Sequence, residues 1–175
     1  RQIEKLEVPA MEADCPDGCD VPVNFYIKWG DPKIVFCSHL DTVPPYIPPA
    51  VSTVCQSDGQ DGVKVTGRGS CDAKGQIFAM YEACLELERR GHDGFGLLLL
   101  AGEETGSFGA KAFSAMAQET GWSAEWVIVG EPTDNHMASA AKGTKSFEVT
   151  FKGRSCHSGY PENGLSAIIY FNDFV

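Results

Sequence analysis

The spacing of apolar and polar residues along the chain predicts short strands separated by helices. Residues 21–28 alternate, with valine, phenylalanine and isoleucine at the odd positions, and a period of two predicts a strand with one buried face. Further strands are predicted at residues 33–37, 63–65, 97–100 and 126–129. The apolar runs among them are typical of strands inside a parallel sheet.

Two helices are predicted between these strands. The first begins at Asp72, carries an apolar stripe from Ile77 to Leu87, and is closed by Gly91. The second covers about Phe108 to Gln118. This order of strands and helices predicts an α/β fold, a three-layer α/β/α sandwich around a mostly parallel sheet.

The pattern changes near Lys142, where a second region begins. It contains a predicted strand at residues 147–151, a loop at 153–164 and the start of a helix at 165–171. We therefore divide the chain into a domain of residues 1–143 and the incomplete opening of a second domain at 144–175.

Length and charge narrow the class of protein. A chain of 175 residues can bury one full core but not two. A formal net charge of -10 argues against nucleic acid or an anionic membrane surface as partner. The longest apolar stretch, Leu97 to Ala101, is far shorter than the roughly 20 residues that cross a bilayer. We expect a soluble, cytoplasmic protein with a small or peptidic partner.

The seven cysteines favour reduced thiols, because their number is odd and most lie inside predicted strands or helices. Cys37 and Cys84 are predicted to lie in the core. Cys15 and Cys19 are spaced as a metal or disulfide pair, but without a second pair we interpret them as loop residues.

Acidic residues and one histidine follow the predicted inner strands. His39 and Asp41 follow residues 33–37, Glu103 and Glu104 follow 97–100, Glu131 follows 126–129, and Asp72 precedes the first helix. Ligands of parallel sheets gather at the carboxyl ends of the strands, so we expect these six groups to converge. Carboxylates this crowded would repel one another and take up protons unless a cation neutralised them. The pattern therefore predicts bound metal.

The residue types at this edge suit a metal-assisted hydrolysis. His39 and Asp41 share a face of an extended segment, so one can bind metal while the other orients it, the role that suits Asp41. Glu103 and Glu104 point in different directions, so one can ligate while its neighbour acts as general base. Asp72 can give one oxygen to each of two ions. Imidazole with carboxylates suits zinc, with manganese or cobalt as alternatives.

Four motifs occur in order over most of the chain. They are His39-Leu40-Asp41, the segment Gly69 to Gly75 around Asp72, Gly102-Glu103-Glu104-Thr105-Gly106, and Gly130-Glu131-Pro132-Thr133. With these motifs the chain resembles the zinc metallopeptidase family of acetylornithine deacetylase, succinyl-diaminopimelate desuccinylase and related carboxypeptidases. A segment from Cys156 to Ile168 also resembles the start of the lid, or dimerisation, domain of that family.

The resemblance implies a role for each acidic group. His39 and Glu131 would be ligands of one zinc ion, Glu104 a ligand of a second, and Asp72 the bridge between them. Glu103 would be the general base.

Four further features are implied by the same resemblance. Asp41 would clamp His39, and the peptide bond between Asp72 and Ala73 would be cis. His157 would stabilise the oxyanion, often across a homodimer formed through the lid.

The function implied is hydrolysis of an amide bond in an N-acyl amino acid or a short peptide, of the deacylase or carboxypeptidase type. Water activated by two metal ions would attack the carbonyl, and Glu103 would pass its proton to the leaving amine. Family members carry one more histidine ligand to the second ion, downstream of the lid, so we expect this chain to be part of a longer enzyme.

Two alternatives stay open. A non-catalytic relative that keeps the cation for structure is favoured by the missing histidine ligand. A related bridged aminopeptidase is the nearer rival among enzymes, although the turn at residues 130–133 and the lid segment weigh against it.

Overall fold

The computed structural model describes residues 1–8, 22–55, 60–143, 145 and 147–175. It divides into two compact units, Arg1–His136 and Met137–Val175. The interpretation of Cys15 and Cys19 lies outside the described residues, as does Val21 of the first predicted strand. Among the helices in these ranges, none combines the length and apolar character needed to cross a bilayer.

The first unit has an α/β fold. Its strands are β1 (Gln2–Glu7), β2 (Val23–Trp29), β3 (Ile34–His39), β4 (Ala50–Cys55), β5 (Asp61–Thr66), β6 (Phe95–Leu100) and β7 (Trp126–Val129). Its helices are α1 (Lys74–Arg89) and α2 (Phe108–Thr120). The predicted inner strands and both helices are therefore present, with ends that differ by a few residues.

The main sheet has the strand order β1-β2-β6-β3-β7. Strands β6, β3 and β7 are parallel neighbours, whereas β1 and β2, and β2 and β6, pair antiparallel. The sheet is therefore mixed: four of its five strands run in one direction and β2 runs in the opposite one. The four residues 30–33 between β2 and β3 are too few for a crossover, so β2 must run opposite to β3.

Successive leucines of β6 point to opposite faces of this sheet and meet different helices. Leu98 belongs to a buried cluster that includes Phe113 of α2, and Leu97 belongs to one that includes Cys84 of α1. The two helices therefore pack on opposite faces. Cys37 and Cys84 are both buried, which confirms their predicted place in the core.

The buried face of β2 is the reverse of the predicted one. Asn24 and Tyr26 are buried, whereas Val23, Phe25 and Ile27 are only half-buried. The reason is tertiary, because β2 lies inside the sheet with both faces partly covered. The Tyr26 ring lies edge-on to Phe113 of α2, with ring centroids 5.9 Å apart.

Strands β1 and β4 were not predicted from the sequence. Strand β4 pairs with β5 in a separate antiparallel hairpin, from Ala50 opposite Thr66 to Cys55 opposite Asp61. All six residues of β4 are exposed, so no buried face marks the strand in the sequence.

The second unit contains a 3₁₀ turn (Pro161–Asn163) and helix α3 (Ala167–Phe174). Residues 147–151 form no strand, so that prediction is wrong. A strand requires a neighbouring backbone that takes up its N–H and C=O groups, and in the described part of the chain none pairs with this segment. The Phe151 ring instead packs against Phe171 and Phe174 of α3, at centroid distances of 5.8 and 5.5 Å.

Candidate metal centre

The carboxyl ends of β3, β6 and β7 meet at one edge of the sheet and carry the acidic motifs. His39 is the last residue of β3 and pairs in register with Leu100, the last residue of β6. Cys37 pairs with Val129, the last residue of β7, so Glu131 follows only two positions later. The parallel register therefore brings the segments after all three strands side by side.

His39 is the most enclosed group of this edge, with 2% of its surface exposed. Its Nε2 lies 2.9 Å from Asp72 Oδ1, and its Nδ1 lies 3.2 Å from the backbone oxygen of Asp41. Burial by itself lowers the pKa of this imidazole, but the hydrogen bond to Asp72 and the negative charges of Glu131, Asp41 and Glu103 outweigh it and raise the pKa. The ring therefore sits in an environment that attracts positive charge.

His39, Asp72 and Glu104 each offer one donor atom, and these three atoms lie within 4.8 Å of one another. Within this group Asp72 Oδ1 lies 2.9 Å from Nε2 of His39, and the Asp72 side chain is half exposed. One imidazole nitrogen with carboxylate oxygens is a donor set that suits a divalent cation.

Asp41 holds the next loop rather than only the histidine. Its Oδ1 accepts the backbone N–H of Glu103 and its Oδ2 accepts that of Glu104, each at 3.0 Å. The same Oδ1 is 3.5 Å from Nδ1 of His39, farther than the backbone oxygen of Asp41. The carboxylate of Asp41 thus fixes the turn that carries both glutamates.

Glu131 is placed by the residues before it. The Gly130 N–H donates to the Cys37 oxygen at 2.8 Å, and the buried Ser38 hydroxyl donates to the Gly130 oxygen at 2.9 Å. Burial raises the pKa of the Glu131 carboxyl; His39 lowers it in part, and the negative charges of Asp72, Glu103 and Glu104 raise it further. Glu131 therefore shares one electrostatic environment with the other acids.

The peptide bond between Asp72 and Ala73 is cis, as the resemblance implied. On the same segment, Nζ of Lys74 donates to the backbone oxygen of Leu40 at 2.9 Å. This contact joins the start of α1 to the His39-Leu40-Asp41 motif.

Residues 35–169 match the family model described as Peptidase family M20/M25/M40. The chain belongs to this peptidase family. The matched range includes all seven predicted site residues and most of both units.

Curated members of the M20 family are similar to the chain along most of its length. A probable carboxypeptidase of Aspergillus flavus is 44% identical over 146 residues, which is 82% of this chain and 34% of that protein. A probable carboxypeptidase of Aspergillus terreus is 39% identical over 95% of this chain and 38% of its own length. A peptidase M20 domain-containing protein of Schizosaccharomyces pombe is 40% identical over 78% of this chain. The chain therefore spans about a third of the length of these relatives.

Two solved structures share the fold. A tripeptidase of Staphylococcus aureus has a TM-score of 0.59 at 22% identity and covers 98% of this chain and 45% of its own. The aminopeptidase PepT of Bacillus cereus has a TM-score of 0.52 at 24% identity and covers 97% and 45%. At this level of identity the likeness establishes the fold of the M20 chain and leaves its substrate open.

His157 belongs to the second unit of the M20 chain. Its Nδ1 accepts the backbone N–H of Gly159 at 3.0 Å, and its ring lies 5.8 Å from that of Tyr160. The predicted role of His157 at the oxyanion stays a prediction.

Sequence reasoning overlooked two buried polar residues of the M20 chain next to its motifs, Asn24 and Ser38. Asn24 stands among the polar positions of an alternating strand, and Ser38 stands directly before the His39-Leu40-Asp41 motif. A polar residue amid apolar strand residues is the signal that could have found them, because a buried polar group must have a hydrogen-bond partner.

Proposed function

We propose that the full-length protein is a metal-dependent hydrolase that cleaves an amide bond in a short peptide, with a carboxypeptidase activity as the first candidate. The observation that carries this proposal is the convergence of His39, Asp72 and Glu104 donor atoms within 4.8 Å. Beside that cluster, the exposed Glu103 is held by its backbone N–H. A cation site with a free carboxylate at its rim is the arrangement that hydrolysis of an amide needs.

His39 and Glu131 would hold one ion, Glu104 would hold a second, and Asp72 would contribute an oxygen to each. Zinc fits this nitrogen and oxygen donor set, and cobalt or manganese are the alternatives. When bound, such ions supply Lewis-acid polarisation of the scissile carbonyl and make water a stronger acid.

Glu103 would accept the proton of the attacking water and return it to the leaving amine nitrogen. Its carboxylate is exposed, so substrate can reach it, while Asp41 fixes its backbone. His157 would donate to the oxyanion of the tetrahedral intermediate.

The names of the relatives favour a peptide with a free carboxyl terminus as substrate, because several of them are called probable carboxypeptidases. An N-acyl amino acid presents the same amide beside the same terminal carboxylate, so a deacylase activity belongs to the proposal. We also propose a homodimer formed through the lid.

The two helices on opposite faces of the sheet support a three-layer α/β/α sandwich as the architecture of the complete first domain.

The test uses the full-length protein, freed of metal by chelation and then supplied with zinc, cobalt or manganese. Dipeptides with a blocked amino terminus, free dipeptides, free tripeptides and N-acyl amino acids are offered in parallel, and products are identified by mass spectrometry. We expect the protein to hydrolyse the amide bond next to a free carboxyl terminus. This activity should be absent after chelation and return only when metal is added. Binding of metal without cleavage of any substrate in this panel would instead indicate a non-catalytic relative.

A further inference from the structure

Asn24 is a fully buried amide in the middle of the first unit, with 0% of its surface exposed. A buried amide is costly unless its donor and acceptor are both used. Its Nδ2 donates to the backbone oxygen of Gly109 at 2.9 Å, and its Oδ1 accepts the backbone N–H of Ala101 at 3.0 Å. Both ends of the side chain are therefore bonded to backbone on another part of the chain.

Ala101 and Gly109 are also bonded to each other, since the Gly109 N–H donates to the Ala101 oxygen at 2.8 Å. We call Asn24, Ala101 and Gly109 the neck. A Cβ at Gly109 would collide with the Ala101 oxygen and with Oδ1 of Asn24, so the neck has no free space. The loop between β6 and α2 begins and ends next to the neck, where the Gly109 N–H bond to the Ala101 oxygen joins its two ends.

The loop above the neck carries both glutamates of the proposed site. Its far side is held by Asp41, which accepts the N–H groups of Glu103 and Glu104. Its two ends are held by the neck. At the first of these ends, the Ala101 N–H donates to Asn24, only two residues before Glu103. The loop is thus fixed both by Asp41 and by the neck. In the neck, Asn24 of β2 contributes the side chain, and Ala101 and Gly109 contribute backbone groups.

We propose that Asn24 is a positioning residue that sets where Glu103 and Glu104 stand relative to His39 and Asp72. This inference rests on the proposed function. It also makes a claim about loop geometry that can be measured without substrate. Loss of the amide bonds should let the ends of the loop move, and a shift near 1 Å at a general base or metal ligand costs roughly 100-fold in rate.

The test compares Asn24→Leu and Asn24→Asp with Val35→Ala in the full-length protein. Leucine has the same branched arrangement of side-chain heavy atoms as asparagine but makes neither bond, and aspartate keeps only the acceptor for the Ala101 N–H. Val35 is as deeply buried and belongs to the cluster beside α2, so its truncation destabilises the same core without touching the neck. It serves as the control for a merely structural loss.

Amide hydrogen exchange is the first readout. We expect the Glu103 and Glu104 amides to exchange about tenfold faster or more in Asn24→Leu, beyond any change in global unfolding. Asn24→Asp should lie between that variant and the wild type. Val35→Ala should show no acceleration beyond its global effect. If Asn24→Leu does not fold, the exchange rates of the Glu103 and Glu104 amides in Asn24→Asp are compared with those in Val35→Ala instead.

Kinetics and metal binding are the second readout. We expect kcat of Asn24→Leu to fall roughly 10- to 100-fold, with KM within about twofold of the wild type. Affinity for the ion assigned to Glu104 should fall more than affinity for the ion assigned to Glu131. Val35→Ala should retain kcat in the folded fraction.

The outcomes separate the two claims. A wild-type protein that binds no metal and cleaves nothing refutes the proposed function, while the exchange rates still decide the role of Asn24. If the Glu103 and Glu104 amides of the Asn24 variants exchange no faster, and kcat of these variants falls no more than that of Val35→Ala, the positioning role is overturned. This holds even where the wild type is an active hydrolase.

Discussion

Oδ2 of Asp41 accepts the backbone N–H of Glu104 at 3.0 Å, which ties the end of β3 to the loop after β6. The other oxygen of the same carboxylate accepts the N–H of Glu103. These two bonds use both oxygens of Asp41, so the proposed general base, Glu103, and the proposed metal ligand, Glu104, share one support.

Asp41→Asn should impair the site although it removes no proposed metal ligand. An asparagine offers one acceptor oxygen and one NH₂ group, so it cannot accept both backbone N–H groups. We expect kcat to fall roughly 10- to 100-fold, as is common for residues that orient a metal site. Asp31→Asn, on the exposed turn between β2 and β3, is the matched control and should keep full activity. Equal activity of the two variants would show that the Asp41 carboxylate is dispensable.

Glu103→Gln should keep bound metal and lose turnover. Glutamine preserves the backbone bond to Asp41 but cannot accept a proton, and general-base catalysis contributes roughly 10²- to 10⁴-fold. Metal content by mass spectrometry and kcat on the cleaved peptide are measured together. Glu125→Gln, an exposed carboxylate that pairs with Lys33 at 3.6 Å, serves as control. A Glu103→Gln protein with unchanged kcat would exclude this base.

Asp72→Asn should lose metal as well as activity. An amide oxygen is a neutral and weaker ligand than a carboxylate, and Asp72 Oδ1 is the nearest acidic oxygen to Nε2 of His39, at 2.9 Å. We expect at least about a tenfold loss of zinc affinity, as for other residues that hold a metal site together. Competition with a chelator of known affinity measures it, with Asp93→Asn as the exposed control. Undiminished affinity would remove Asp72 from the ligand set.

The thiol of Cys84 should be unreactive in the folded protein. Burial raises its pKa to about 11, so almost no thiolate is present at pH 8. Iodoacetamide should label the exposed Cys71 and Cys156 at this pH, and label Cys84 only after unfolding, as read by peptide mass spectrometry. Rapid labelling of Cys84 under native conditions would contradict its burial.

The same shift predicts how stability depends on pH. A folded-state pKa of about 11 against 9.0 for the free thiol means that the unfolded chain loses this proton first. The contribution of Cys84 is therefore complete below pH 9 and is lost as pH rises towards 11, by at most about 2 to 3 kcal/mol. Urea denaturation from pH 8 to pH 10.5 should show a shallower loss for Cys84→Ala than for the wild type. Parallel curves would argue against the shift.

Gly109→Ala should destabilise the protein by more than about 2 kcal/mol, because the new methyl group meets backbone that cannot move aside. Gly121→Ala is the control. There a Cβ has open space, and only the left-handed backbone, with φ of 70°, opposes it at a cost of about 1 kcal/mol. Free energies of unfolding in urea compare the two variants. If they are equally stable, the neck is less crowded than its contacts indicate.

Much of the candidate site could be predicted because three of the four motifs directly follow an inner strand of recognisable pattern. Strand β7 was predicted with its observed ends, Trp126 and Val129, and the run before Glu103 lies within β6. When strands are parallel, the residues that follow their carboxyl ends lie at one edge of the sheet. Local sequence patterns were therefore enough to predict that these residues lie close together. The place of β6 between β2 and β3 was not predictable in this way, since it depends on which strands become neighbours in the folded sheet.

The sequence by itself determined the α/β class, the identity of the acidic groups and the edge where they meet. Only the tertiary structure decided that Asn24 points inward, that Asp41 holds two backbone amides, and that residues 147–151 are not a strand. Hydrophobic periodicity indicates which segments of the chain have a buried side, and therefore where strands and helices lie and about how long they are. Hydrogen-bond partners come from distant parts of the chain, here 77 residues apart for Asn24 and Ala101, and no local pattern specifies them.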